Sequence, residues 1–446
     1  MISTMKPLLI RDATLVHPMT TEKVDVLVEN GTIARLESHD STMFSSPSAP
    51  DDPAGVIEAA GWLLLPGLID CHVHLREPGL THKGDMETET RAALHGGVTT
   101  VCDMPNAVPP TVTIGALKEK IKLAKRIKDC DIRFFFGVAE MAHIEDLGKV
   151  WEDEDLRKHL VGAKLFLDHS TGDLKASPET VAEAFRVCGD LGIPLTAHCE
   201  NPGLNAAADK ANKRTDIAAH SIVRPPESEE VAVRGAIELA KKYGTKLHIA
   251  HISTVQGVEC VREAKAAGLP VTCEVAPHHL FLTTDDYATL GTLAKMNPPL
   301  RTAEHRDALW AGIEDGTIDC IATDHAPHTL EEKETSEALK APSGVPGVEV
   351  MLPLLLTVAA RGWPHPATKR PPIHLDKEDI VRLCFENPNQ IFGLKKHPVS
   401  EGRKADCILV DSDEEWTIRG KELHSKCKWT PYEGWLVRGK VVRVIR

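Results

Sequence analysis

Residues 66–79 read PGLIDCHVHLREPG, and the reading of the whole chain hangs on this stretch. Ile69 to Leu75 has the apolar character of a buried strand. Side chains two apart on a strand point to the same side, so His72 and His74 can reach one metal ion together. Arg76 follows just past the strand, placed to grip a charged ligand. Two histidines this close also occur at ordinary polar strand ends, so the pair acquires meaning only from the rest of the chain.

From Pro66 onward the sequence alternates strand and helix, the pattern of parallel strands joined by crossover helices. The expected strands are Ile69–Leu75, Val98–Met104, Arg133–Ala139, Gly162–Leu167, Pro194–Cys199, Lys246–Ser253, Val271–Ala276 and Cys320–Thr323. Amphipathic helices separate them, among them Thr113–Lys128, Ser177–Leu191, Ser228–Tyr243, Val255–Ala267 and Thr302–Asp315, several followed by glycine. Two further helices, Gly347–Arg361 and Asp376–Phe392, flank a proline-rich turn. Eight such units predict an α/β fold, a (β/α)8 TIM-like barrel over 66–399 with chemistry at the C-terminal strand ends.

The two ends of the chain have a different texture. LLIRDATLV and VDVLVENGTIARL alternate apolar and polar residues around a hairpin signal, Asn30-Gly31. Asp40 to Pro53 reads as an exposed loop. After Gly402, the segments DCILVD, EWTI and GWLVRGKVVRVIR return to short strands. Residues 1–65 and 400–446 are therefore expected to form one small β domain beside the barrel.

Composition narrows the function. A formal charge of −13 over 446 residues argues against a nucleic-acid surface, which needs clustered Lys and Arg. The first residues lack the signature of a secretory leader, and no apolar run reaches membrane-spanning length. Eleven cysteines occur singly with no CxxC pair, as expected of reduced thiols in a cytoplasmic protein. Cys71 and Cys199, although next to site candidates, read as packing residues.

The ends of the predicted strands repeat the theme of the opening stretch. His72 and His74 end the first, Lys164 lies in the fourth, and His198, His251 and Asp324 end the fifth, sixth and eighth. A barrel gathers these onto one rim, and four imidazoles with a carboxylate suit zinc or a similar divalent ion. Lys164 is the odd member, since an ammonium is repelled by metal ions; a buried stem with its charge at the rim is its plain reading.

With these residues in hand, the chain resembles the dihydroorotases of the amidohydrolase superfamily, of the HxHxRxPG type. The matching segments are PGLIDCHVHLREPG, GGVTTVCDMPN, GAKLFL, TAHCEN, HIAHIST, CEVAPHHL, MNPPLR, ATDHAPH and SKCKWTPYEG, in order along residues 66–434. The resemblance implies two metal ions: His72, His74 and Asp324 on one, His198 and His251 on the other. Lys164, carrying carbon dioxide as a carbamate, would bridge them. It further implies a metal-activated water with Asp324 as general base and then general acid. Arg76, Asn106 and His328 would hold the substrate carboxylate, and Asn297 would contact the ring. Ser170 and Thr171 are candidate lid contacts, with a plain solvent loop as the competing reading. Glu274, His278 and His279 match the family in supporting positions. The implied partner is a small molecule, with self-association and association with aspartate transcarbamoylase as further expectations. The rivals are an allantoinase or hydantoinase-like cyclic amidohydrolase and a noncatalytic barrel scaffold.

Overall fold

The computed structural model describes residues 7–39, 55–169 and 174–446. The loop expected over 40–53 and the lid candidates Ser170 and Thr171 lie outside the described residues. Alternating residues at the N-terminus form three antiparallel strands, β1 (Leu8–Val16), β2 (Thr21–Glu29) and β3 (Thr32–Ser38). Asn30 and Gly31 turn the β2–β3 hairpin at φ of 50° and 74°, the positive values that a tight two-residue turn requires. Strands β4 (Gly55–Glu58) and β5 (Leu63–Pro66) run parallel to β1.

The chain then enters the barrel through Gly67, where any side chain would strike Thr99 and Asp406. The barrel strands are β6 (Leu68–Val73), β7 (Val98–Asp103), β8 (Asp131–Val138), β9 (Leu160–Phe166), β10 (Leu195–His198), β11 (Leu247–Ile249), β12 (Val271–Val275) and β13 (Cys320–Ile321). Each pairs in parallel with its sequence neighbour. Every residue of β6, β7 and β9 is buried, as expected where side chains fill the barrel on one face and meet helices on the other. Closure between β13 and β6 is made just past the last strand. There His74 N donates to His325 O at 2.8 Å, and Thr323 N donates to the Asp70 carboxylate at 3.0 Å.

A helix follows each strand: Met86–His95, Ile114–Ala124, Met141–Glu152, Pro178–Leu191, Pro226–Tyr243, Val255–Ala266, Ala303–Glu314 and Met351–Ala359. Their limits have local causes. Ser177 accepts from Thr180 N at the start of the fourth, and Gly192 ends it in the left-handed conformation at φ 67°. The segment predicted as one helix over Asp376–Phe392 is divided: Lys377–Val381, a wider π turn at Arg382–Glu386, then Asn387–Ile391. Pro388 has no N–H to give and would clash with the preceding turn of a regular helix. The wider turn, with Asn387 N bonded to Arg382 O, accommodates it.

The C-terminus completes the first sheet. Strand β14 (Cys407–Thr417) pairs antiparallel with β5 and with β15 (Leu436–Ile445), giving the order β15-β14-β5-β1-β2-β3 with β4 beside β1. DCILVD and EWTI, read separately in the sequence, are one strand whose register shifts between Asp411 and Glu415. Ile10, Leu15, Val26, Leu64, Leu409 and Ile445 form this sheet's own core.

Candidate active site

The barrel brings the strand-end residues together as the sequence predicts. His72, His74, Asn106, Lys164, His198, His251, Asn297 and Asp324 line one cavity, with Phe166, Ala326, Ser343 and Gly344 completing its wall. The four imidazoles form a chain, with ring centroids 5.7 Å apart for His74–His72, 5.2 Å for His72–His251 and 4.7 Å for His251–His198. Asp324 Oδ1 lies 3.1 Å from His74 Nε2 and 3.4 Å from His72 Nε2. Arg76, His251 and Asp324 have φ of 64°, 33° and 47°, a left-handed backbone uncommon for such residues. Strain of this kind persists where the surrounding structure enforces it, and here it falls where the chain leaves three strands of the site.

Hydrogen bonds to buried carboxylates fix which ring nitrogen His198 and His72 show to the cavity. Glu200 Oε2 lies 2.8 Å from His198 Nε2, so that nitrogen carries the proton and Nδ1 presents its lone pair. His198 Nδ1 faces His251 Nε2 at 3.0 Å. His72 Nδ1 is bonded to Glu274 Oε1, which leaves Nε2 toward Asp324. Burial holds His72, His74 and His251 below the usual imidazole range, which keeps them neutral and able to act as ligands. Burial also raises the Asp324 carboxyl and lowers the Lys164 amine to about 8.

These residues fit divalent metal ions. His72, His74 and Asp324 place one ligand atom each within 4.8 Å of one another. Lys164 Nζ is buried and has no hydrogen-bond partner among the described residues. An orphaned amine with a depressed pKa beside neutral imidazoles is unfavourable as an ammonium. It suits an amine converted to an anionic carbamate ligand.

Beside the cavity, Arg76 is buried with a pKa lowered by burial to about 10. Its Nε donates to Pro327 O at 3.0 Å, and Nη2 lies 3.1 Å from His328 Nε2. Nη1 is buried and has no partner among the described residues. The ion pair with Glu77 that its position allowed is not formed; Glu77 pairs with Arg126. A guanidinium in this state has donors in reserve for an anion.

Residues 63–446 match the amidohydrolase family. The chain belongs to the amidohydrolase family. Among curated relatives, a dihydroorotase of Halobacterium salinarum is 40% identical over 413 residues, covering 92% of this chain and 91% of that one. A dihydroorotase of Bacillus cereus is 37% identical over 434 residues, covering 94% and 92%. Among solved structures, an L-hydantoinase from Arthrobacter aurescens aligns with a TM-score of 0.88 at 29% identity, covering 99% of this chain and 94% of its own. A dihydropyrimidinase from Brevibacillus agri gives 0.84 at 26%, covering 98% and 93%.

The sequence of this amidohydrolase left some functional neighbours unmarked. Glu200, which orients His198, and His220, which meets Asn297, carried no motif beyond their segments. Glu274 was read only as support, yet its two oxygens join His72 Nδ1 to His248 Nε2, the latter at 3.1 Å. The available signal was a lone carboxylate in the apolar strand VTCEV, which needs buried partners to remain ionised. Cys71 packs as expected but also donates to Glu274 at 3.4 Å. His278 and His279 are buried against each other, with His279 Nε2 3.0 Å from Pro298 O.

Proposed function

We propose that this amidohydrolase acts as a dihydroorotase, interconverting N-carbamoyl-L-aspartate and L-dihydroorotate in pyrimidine biosynthesis. The observation that carries the reading is Arg76, a buried guanidinium beside the histidine-lined cavity whose Nη1 has no hydrogen-bond partner among the described residues. Dihydroorotate offers a ring carboxylate for it; allantoin, hydantoin and dihydrouracil do not. The identity with curated dihydroorotases over most of the chain supports the same choice.

Two divalent ions, zinc by the donor set, would be held by His72, His74 and Asp324 and by His198 and His251, with Lys164 as a carbamate between them. Such ions supply Lewis-acid polarisation of the amide carbonyl and acidify water. Arg76 with His328 and Asn106 binds the substrate carboxylate and fixes the ring's orientation. Asp324 accepts a proton from the attacking water and delivers it to the ring nitrogen as the C–N bond breaks. Ring opening yields a second carboxylate and releases one proton; closure consumes it. Glu200 and Glu274 hold His198 and His72 in the tautomers described above. The barrel, 66–399, carries this chemistry, and the sheet formed by β1–β5, β14 and β15 braces it. A cytoplasmic setting is supported by cysteines that are buried and unpaired. Among the described residues no helix is long and apolar enough to cross a membrane.

The test is turnover by the purified chain of dihydroorotate against dihydrouracil, hydantoin and allantoin, with metal analysis in parallel. Preferred turnover of dihydroorotate with close to two metals per chain is expected. Preference for an uncharged ring would replace this reading with a hydantoinase-like one, and a metal-free, inactive chain with a scaffold.

A further inference from the structure

His220 sits in the short helix Ala219–Val223, buried, with Nε2 2.9 Å from Met296 O and 2.9 Å from Asn297 Oδ1. A backbone carbonyl only accepts, so Nε2 must carry the ring proton. The Asn297 atom facing that proton must then be its oxygen, which settles which way round the amide sits. Burial, with Lys295 and Arg224 nearby, pushes the His220 pKa down to about 3, so the ring stays neutral and this tautomer persists. Ser343 Oγ lies 3.2 Å from the same Oδ1 and donates to it. Both contacts of the Asn297 amide therefore fall on Oδ1, and Asn297 and Ser343 both line the cavity.

We infer that His220 is a positioning residue: with Ser343 it locks the Asn297 amide so that Nδ2 is offered to the substrate as a hydrogen-bond donor. This rests on the reading of Asn297 as a ring contact. The dihydroorotate ring presents carbonyl oxygens on some edges and N–H groups on others. An amide locked by its oxygen selects a carbonyl edge, whereas the flipped amide would select an N–H. His220, which touches no reacting atom, thereby sets the polarity of ring recognition from behind the cavity wall.

The test is steady-state kinetics on dihydroorotate with the metal-loaded enzyme, comparing His220→Leu, His220→Gln, Asn297→Ala and the double variant H220L/N297A. His220→Leu should raise KM about tenfold while kcat changes less than about threefold and metal content holds. Gln, whose side-chain N–H can replace the imidazole donor, should recover most of the loss. The double variant should be no worse than Asn297→Ala, because both act through one contact. Additive losses, or Gln no better than Leu, would overturn the inference while leaving Asn297 as a ring contact. An unchanged KM in Asn297→Ala would instead remove that underlying reading, and the inference with it. Should His220→Leu fail to fold, Ser343→Ala probes the same lock: it should raise KM, and without further loss when combined with Asn297→Ala.

Discussion

Arg76 Nη2 lies 3.1 Å from His328 Nε2, and burial, reinforced by the cations around that imidazole, keeps it neutral. Burial, Arg76, Lys83 and Lys333 together push the His328 pKa far below its ordinary value. The positive charge of the proposed carboxylate clamp is therefore Arg76's alone. Arg76→Ala should lower kcat/KM on dihydroorotate by about 100- to 1,000-fold, the scale of losing a buried charge-assisted pair. His328→Ala, removing a neutral partner, should cost about tenfold. Metal content should be unchanged in both. Arg76→Lys keeps the charge but not the planar fork and should fall between wild type and Ala. Normal turnover by Arg76→Ala would end the assignment of this arginine to the substrate.

Asp324 has a different task, and its substitution should separate proton transfer from binding. Its Oδ1 is within 3.4 Å of both His72 and His74, and burial raises its carboxyl above the ordinary range. Asp324→Asn preserves shape and hydrogen bonding but cannot take a proton from water. We expect kcat to drop by about 10³- to 10⁴-fold with KM little changed, the usual weight of general acid–base catalysis. Loss confined to KM would make Asp324 a binding group instead.

How far the sequence reached depended on where each residue sits. All eight barrel strands were legible because apolar runs bounded by turns mark strands buried on both faces. That the proposed metal ligands share one cavity was legible because the barrel makes strand ends converge whatever their separation in the chain. His72 and Asp324 are 252 residues apart in sequence and 3.4 Å apart in space. Glu200, Glu274 and His220 were not assigned their roles, because those roles come from contacts between segments that no local spacing encodes. The division of Asp376–Phe392 shows the same limit in backbone form: Pro388 signals a disturbed helix, but a π turn rather than a break is decided by packing.

Lys164 can be tested without reference to its proton affinity. Its Nζ has no hydrogen-bond partner among the described residues, only the Phe166 ring 5.1 Å away, so no protein donor stands in for a metal ion. Metal-stripped enzyme reconstituted with zinc in carbon-dioxide-free buffer should regain little activity, and added bicarbonate should restore it. Lys164→Ala should bind metal more weakly and lose activity by at least about 100-fold, as expected when a ligand shared by two ions is removed. Equal reconstitution with and without bicarbonate would leave Lys164 as an amine.

The last prediction concerns the contact that ties the C-terminal segment to the barrel. Glu89, buried in the helix Met86–His95, accepts from His325 Nε2 at 2.8 Å, Ser425 Oγ at 2.6 Å and Lys426 N at 3.0 Å. His325 Nδ1 accepts from Gly347 N at 3.0 Å, which leaves the proton on Nε2 for Glu89. Burial alone would raise the Glu89 carboxyl, but these bonds outweigh it and its pKa is lowered from 4.5. A carboxylate with a lowered folded-state pKa adds stability that is fully present above the unfolded value and lost as pH falls through the folded one. Glu89→Gln should therefore destabilise the protein by about 2 kcal/mol at pH 7. Because Gln does not titrate, the gap to wild type should narrow below about pH 4. Denaturant unfolding of both metal-free chains at pH 7 and in acid measures this, with metal release removed as a variable. A gap that stays constant across the acid range would mean that Glu89 contributes by shape rather than by charge.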